Sequence, residues 1–314
     1  MNEFETLNYN SSCALRVILE REGLGMQKKF GQNFLINPGV RQALVESLNA
    51  KAGDEVWEIG PGLGAMTALL LEKGLKVKAF EIDLGFIRVL KKMFSDNENF
   101  SLVEGDALKT WPSQNLPPFL LGNLPYNIGA ALLADLIEKG KTFSRMVVTV
   151  QKEVALRMAA SAGSPDYSSF SVLCASAYTV KPLMLIRPQS FYPQPNVDSM
   201  GVLLEKRGQG LSDYCVSPKV FYPLVRALFA SRRKTIKNNL LVFISSGIGN
   251  LNKKGGAQNS GAQDLCAVIL KENNLDGRER AETLDIQVFI SLAKTIENMR
   301  LLGSDVSCGK HSKN

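Results

Sequence analysis

Short apolar runs alternate with helical repeats along the first half of the chain. Asn37 and Pro38 open a predicted helix over 37–50, with Val40, Leu44, Val45 and Leu48 on one stripe. Strand-like EVWEI (55–59) is followed by helical AMTALLLEKG (65–74), strand-like KVKAFEI (76–82), helical LGFIRVLKKMF (84–94) and strand-like NFSLVEGDA (99–107). PPFLLGNLPY (117–126) begins as a strand and leads into the helix IGAALLADLIEKG (128–140), and RMVVTVQ (145–151) is a further strand. This rhythm predicts an α/β fold, a mostly parallel, doubly wound sheet of the Rossmann-like kind with helices on both faces. Two late runs, PLMLIRP (182–188) and MGVLLEK (200–206), have no long helix between them and are expected to form an antiparallel edge pair.

Beyond residue 208 the period is helical, over 219–244 and again over 285–302. Between them GIGNLNKKGGAQNSGAQ (247–263) is too polar and glycine-rich to pack and is expected to be a mobile loop. The expected organisation is an α/β domain over 1–207 and a small helical domain over 208–314.

Composition narrows the classes. At 314 residues, 45% hydrophobic and 21% charged, the chain has material for two ordinary globular domains. No apolar run approaches the roughly 18 residues of a membrane span, and the polar start MNEFETLNYN is unlike a secretory leader. The five cysteines are odd in number and scattered, which suits a reducing cytoplasm rather than a disulfide framework. One histidine, His311, argues against a histidine-based triad, general base or metal site, so no metal is expected.

Charge is unevenly divided. Through Glu205 there are 20 Lys and Arg against 21 Asp and Glu; from Lys206 onward there are 17 against 9. The balances of −1 and +8 give the net +7 and suggest that the C-terminal third meets a polyanion. A solvated basic surface is the plainer reading of charge alone.

The candidate chemistry sits at the ends of the predicted strands. Glu58-Ile59-Gly60-Pro61-Gly62-Leu63-Gly64 follows one strand and opens a helix, the setting in which glycines let backbone approach a ligand. Glu81 ends the next strand, placed to accept ribose hydroxyls, and Asp106 ends the third, placed to receive an adenine amino group. The pattern points to an adenosine-type cofactor. The absence of a pyrophosphate need and the acidic lead-in Glu58 favour S-adenosyl-L-methionine, while Gly60-x-Gly62-x-x-Ala65 also fits a nicotinamide fingerprint.

Asn123-Leu124-Pro125-Tyr126 ends the fourth strand beside the same crevice. The Asn123 side-chain oxygen and the Leu124 or Pro125 carbonyl are two acceptors for the two hydrogens of a nucleobase amine, and Tyr126 offers a face for stacking a flipped-out base. Such a site works by orientation and needs no histidine base.

With these residues in place, the chain resembles the ribosomal RNA adenine dimethyltransferase family from about Lys28 to Leu284. Lys28-Lys29-Phe30-Gly31-Gln32-Asn33-Phe34-Leu35 resembles the family's leading cofactor segment, which implies that Asn33 and Leu35 contact the methionine part of the cofactor. The resemblance also implies that Gly60 lines that pocket, that Glu81 holds the ribose and Asp106 the adenine, and that Asn123 lies where cofactor and target base meet. Pro188-x-x-Phe191-x-Pro193-x-Pro195-x-Val197-Asp198-Ser199 resembles a late family loop, which implies that Phe191 closes the base pocket opposite Tyr126. Ser231-Arg232-Arg233-Lys234-Thr235 with Lys237 resembles the family's rRNA-contacting helix, and Arg280-Ala281-Glu282-x-Leu284 a later motif. The implied activity is dimethylation of the 6-amino groups of two adjacent adenosines near the 3′ end of 16S rRNA, by a cytoplasmic monomer with a role in small-subunit biogenesis. Tyr167-Ser168-Ser169-Phe170-Ser171-Val172 is a loosened match, and 1–27 and the tail after Gly303 lie outside the resemblance. The large-subunit resistance methyltransferases, a nicotinamide-dependent dehydrogenase and a non-catalytic ribosome-assembly factor stand as alternatives. The first shares the Asn-Leu-Pro-Tyr type of motif, and the second lacks a Tyr-x-x-x-Lys pair here.

Overall fold

The computed structural model describes residues 7–24, 33–125, 128–246 and 260–308. The chain divides into two compact units. The first takes in residues 1–137, 141–156 and 178–206; the second takes in 138–140, 157–177 and 207–314. One division between the units falls between residues 206 and 207, and the second unit also takes in two earlier segments.

The first unit opens with helix α1 (Ser12–Arg21), capped by the Ser11 hydroxyl on Ala14 N at 3.2 Å. A two-residue strand β1 (Phe34–Leu35) and helix α2 (Pro38–Ser47) follow, with Asn37 capping Val40 N as its residue type dictates. Then β2 (Glu55–Ile59), α3 (Ala65–Glu72), β3 (Lys76–Glu81), α4 (Leu84–Phe94), β4 (Phe100–Glu104), a short α5 (Ala107–Thr110), β5 (Phe119–Asn123), α6 (Gly129–Glu138) and β6 (Arg145–Gln151) alternate as expected. Helix α7 (Lys152–Ala159) and helix α8 (Ser169–Ala177) precede β7 (Tyr178–Ile186), β8 (Phe191–Tyr192) and β9 (Ser199–Lys206).

Seven strands form one sheet in the order β4-β3-β2-β5-β6-β9-β7. The first five are parallel, β9 is antiparallel to β6, and β7 is antiparallel to β9. The expected antiparallel pair is therefore real, with β7 at the edge, where Pro182 and a register shift before Met184 are tolerated. Strand β2 is buried on both faces, as a central parallel strand must be. One face packs Val56, Val77, Leu121 and Val147 against Leu44 of α2, its capping residue Leu48, and Met66 and Leu70 of α3. On β2, Trp57 meets Phe80 and Phe143 at ring separations of 4.8 and 5.4 Å.

The second unit is built largely of helices: α8, then α9 (Pro218–Phe229), α10 (Ile236–Ser245), α11 (Ser260–Glu272) and α12 (Ile286–Cys308). Phe229 stacks on Phe289 at 5.7 Å and meets Tyr167 edge-on at 5.8 Å. Two sequence expectations change here. The helical period over 219–244 is two helices, broken at 230–235. The buried Asn239 amide donates to the Leu228 carbonyl at 2.8 Å and the Ser231 carbonyl at 3.2 Å, satisfying oxygens that a continued α9 would have used. Of the loop expected over 247–263, residues 247–259 lie outside the described residues, and 260–263 are the first turn of α11. No helix among the described residues is long and apolar enough to cross a membrane.

Candidate active site

Parallel strands end at one edge of the sheet, and the loops that leave them are where α/β sheets bind ligands. A cavity of about 280 Å³ opens there, lined from β1, β2, β3, β5 and the turns after β3 and β4. Asn33, Leu35, Gly60, Glu81, Asp106, Asn123 and Pro125 all line it, so seven of the expected site residues converge. Their order follows the strands: Asp106 after β4, Glu81 on β3, Gly60 after β2, Asn123 on β5.

The glycine turn has the conformation its residues permit. Gly60, Gly62 and Gly64 have φ of 70°, 58° and 84°. A side chain at Gly62 would also press on the Phe34 ring, 3.0 Å from the ideal Cβ position. Glu81 holds this turn in place. Its Oε2 accepts from Gly62 N at 3.2 Å, and its Oε1 accepts from Ile82 N and Asp83 N, both at 2.9 Å. Burial pushes its pKa up to about 7 against those three amides. Asp106 caps α5 through Oδ1 on Leu108 N at 3.0 Å.

Glu58, 0% exposed, accepts a 2.6 Å hydrogen bond from Thr67 Oγ1 on Oε2, while Oε1 has no partner among the described residues. Burial, opposed by Thr67 and reinforced by Glu81, raises its pKa to about 7 from the ordinary 4.5. The folded state therefore holds this proton from pH 4.5 to 7 while the unfolded state releases it, so stability present at low pH is lost as pH rises through 7. Glu58→Gln removes that loss. The ligand-free variant is expected to melt about 5 °C above the parent at pH 8, on the order of 2 kcal/mol, and to converge with it near pH 5. Calorimetric scans across that range measure the difference; a gap that is constant with pH counts against a titrating Glu58.

Asn123 ends β5 with its neighbour Leu124 N bonded to Thr149 O at 3.1 Å. Its Nδ2 donates to Asn33 O at 2.8 Å. A carbonyl only accepts, so the amide nitrogen is committed to Asn33 and Oδ1 is left for another donor. Of the two carbonyls expected to help it, that of Pro125 already accepts from Ile128 N at 3.1 Å and Gly129 N at 3.0 Å. The remaining acceptor is the Leu124 carbonyl. Tyr126 lies outside the described residues, as does Lys28–Gln32 of the leading segment.

Two expectations need correction. Phe191, 2% exposed, pairs with Leu35 across β8 and β1 and packs in the core, and it is not among the cavity's lining residues. In this structure it braces the strand that carries Leu35, next to Asn33, and presents no open face to a base. Arg232, Arg233 and Lys234 lie in the turn between α9 and α10 and not on a helix, with Lys237 in the first turn of α10. Arg232 is occupied: it pairs with Glu282 at 3.2 Å and donates to the Pro165 and Tyr167 carbonyls. Arg233, Lys234 and Lys237 are exposed.

Sequence reasoning missed the N-terminal segment and Arg41. Tyr9 Oη donates to Leu63 O at 3.1 Å, and α1 packs Leu15, Ile18 and Leu19 against Leu63, Phe86 and Val89. Arg41 lines the cavity from α2. Ile82, 42% exposed and beside Glu81, adds apolar lining that no motif signalled.

A glycine turn braced by one strand-end carboxylate, a second carboxylate beyond it and an oriented asparagine amide define the class: an α/β domain that binds an adenosine-type cofactor and works on an amine. Comparison with known proteins makes it particular. The sequence model of the family described as ribosomal RNA adenine dimethylase matches residues 23–268. The ribosomal RNA small subunit methyltransferase A of Treponema denticola is 44% identical over 298 residues, covering 93% of this chain and 97% of its own. The protein of the same name from Borreliella afzelii is 38% identical over 293 residues, covering 92% and 95%. Among solved structures, a dimethyladenosine transferase from Plasmodium falciparum superposes with TM-score 0.72 at 28% identity, covering 84% of this chain and 97% of that one. The 23S rRNA methyltransferase ErmE, at TM-score 0.58 and 19% identity over 84% and 99%, shares the fold. The chain belongs to the ribosomal RNA adenine dimethylase family. It is an S-adenosylmethionine-dependent rRNA adenine dimethyltransferase, which removes the dehydrogenase and non-catalytic alternatives.

The residues present fit that cofactor. Asp106 and Glu81 line the cavity with carboxylates that would serve as acceptors for adenine and ribose, and three left-handed glycines leave the turn bare of side chains beside it.

Proposed function

We propose that this enzyme dimethylates the 6-amino groups of two adjacent adenosines near the 3′ end of 16S rRNA, as a cytoplasmic monomer acting during small-subunit biogenesis. The observation that carries the chemical part is the commitment of Asn123 Nδ2 to the Asn33 carbonyl, which leaves Oδ1 to accept from an amine. The small-subunit target draws support from the names of relatives 38–44% identical over nearly the whole chain.

S-adenosylmethionine, when bound, supplies a methyl group on a cationic sulfur. The chain's own part is positioning. Asn123 Oδ1 and the Leu124 carbonyl accept the two hydrogens of the target amine, which draws its lone pair out of the ring and aims it at the cavity. Asn33 fixes the Asn123 amide and β8 steadies the Asn33 strand. The amine, once methylated, is strongly acidic, so water takes its proton and no protein base is required. Tyr126 stacks the flipped base, and Asn33, Leu35, Gly60, Glu81 and Asp106 hold the cofactor. The basic C-terminal unit, through Arg233, Lys234 and Lys237, meets rRNA phosphates.

Methyl transfer to under-methylated small subunits, with large subunits and free rRNA in parallel, tests this reading. The expected result is about two methyls on each of two adjacent adenosines of the small subunit. Neutralising Arg233, Lys234 and Lys237 together is expected to lower the slope of log affinity against log salt by about 2 to 3. Label confined to large subunits, or an unchanged slope, overturns the corresponding part.

A further inference from the structure

Arg41 is a buried cation with no anion paired to it among the described residues. Its side chain, 5% exposed, reaches the cavity wall from α2. Nη1 donates to Leu35 O at 2.6 Å and to Tyr9 O at 3.4 Å, and Nη2 donates to Asn10 Oδ1. Every acceptor is neutral. Nε is buried without a partner, and no carboxylate among the described residues forms an ion pair with this guanidinium. Burial lowers its pKa, opposed only by Tyr9. The two carboxylates that line the cavity are engaged elsewhere, Glu81 by three backbone amides and Asp106 by Leu108 N, and the buried Glu58 is bonded to Thr67. An uncompensated buried charge is costly, and a ligand anion at the cavity is one way to compensate it.

Position narrows the ligand group. Asp106 and Glu81 stand at the tips of β4 and β3, on one side of the glycine turn. Asn33 touches Asn123 at the tip of β5, on the other side, and Arg41 holds the Leu35 carbonyl two residues along. A cofactor whose adenosine lies over β4 and β3 extends its amino-acid end toward β5 and β1, where Arg41 waits. We propose that Arg41 is the counter-ion for the α-carboxylate of the cofactor's amino-acid moiety, and that Tyr9 and Asn10 hold it ready. The inference rests on the cofactor and not on which rRNA is methylated.

The test is the affinity of the full-length protein for S-adenosylhomocysteine and for its decarboxylated counterpart, by titration calorimetry without rRNA. A buried charge-assisted contact is expected to make the wild type prefer the carboxylate-bearing ligand by about 30-fold. In Arg41→Met that preference falls to about threefold or less, with the decarboxylated ligand bound nearly as in the wild type; Arg41→Lys is intermediate. Asn10→Ala, which loosens the segment but keeps the guanidinium, retains most of the preference. Equal weakening of both ligands in Arg41→Met shows a purely structural latch and overturns the proposal. If Arg41→Met fails to fold, the wild-type preference decides: a ratio below about threefold overturns it without any variant.

Discussion

Asn123→Ala is expected to lower the rate of methyl transfer by about three orders of magnitude while weakening S-adenosylhomocysteine only a few fold. The side chain has two jobs that its two ends separate. Nδ2 ties β5 to the Asn33 carbonyl at 2.8 Å, and Oδ1 is the acceptor presented to the target amine. Alanine removes both, so the amine loses one of its two orienting acceptors and the Asn33 strand loses a tether. Strand β1 keeps its pairing with β8 and the Arg41 bond to Leu35 O, which is why the cofactor side is expected to suffer little. Asn123→Asp separates the effects in another way. It retains an oxygen for the amine but sets a second oxygen against the Asn33 carbonyl, where a donor is required. Its rate is expected to fall by about two to three orders of magnitude as well, with a clearer loss of cofactor affinity. Single-turnover rates at saturating cofactor, beside calorimetric affinities, read the two effects apart. A loss of affinity that tracks the loss of rate in Asn123→Ala contradicts the role assigned to Oδ1.

Glu81→Ala carries the second large effect, here on binding. The carboxylate is the fixed point of the cofactor loop, accepting from Gly62, Ile82 and Asp83. Without it three backbone amides lose their partner, and the two ribose hydroxyls proposed to bind it lose a charged acceptor worth roughly 1.5 to 3 kcal/mol each, so cofactor affinity is expected to fall at least about 100-fold. Glu81→Gln is expected to do nearly as badly, because its NH₂ group faces amides that are themselves donors. The raised pKa of about 7 gives an independent reading. Ribose hydroxyls donate to the ionised form, so binding favours deprotonation. Affinity is expected to tighten as pH rises through 7 and then level, with proton release on binding near neutrality. Calorimetry at pH 7 in two buffers of different ionisation enthalpy measures that release. Proton uptake instead, or a pH-independent affinity, argues against a ribose bond to Glu81.

Locally encoded features were legible in the amino-acid sequence. The strand and helix periods, the glycine turn and the carboxylates at successive strand ends depend on residues close together in the chain. Parallel topology then brings their ends to one edge without further information. Asn123 belongs to this group, because its place at the end of β5 follows from the apolar run before it. The sequence also determined the charge asymmetry that sets the last third of the chain apart.

Contacts between distant residues decided the rest. The break between α9 and α10 has no proline or glycine to announce it; it depends on Asn239 reaching back to Leu228 and Ser231, and on Phe229 meeting Phe289 and Tyr167. Arg232 reads as one cation of a run until Glu282 and the Pro165 and Tyr167 carbonyls are seen around it. Phe191 reads as part of a proline-rich late loop until β8 pairs with β1 and the core closes over it. Arg41 shares the stripe of Leu44, Val45 and Leu48 by helical period, but the period does not say that Tyr9 and Asn10 reach across to bond its guanidinium. Sequence thus determined which groups stand at the strand ends, because backbone periodicity and parallel pairing are local and repetitive. Tertiary structure alone decided which charges are spent on the protein itself and which remain for a ligand, because a side chain's partners are set by burial among residues far away in the chain.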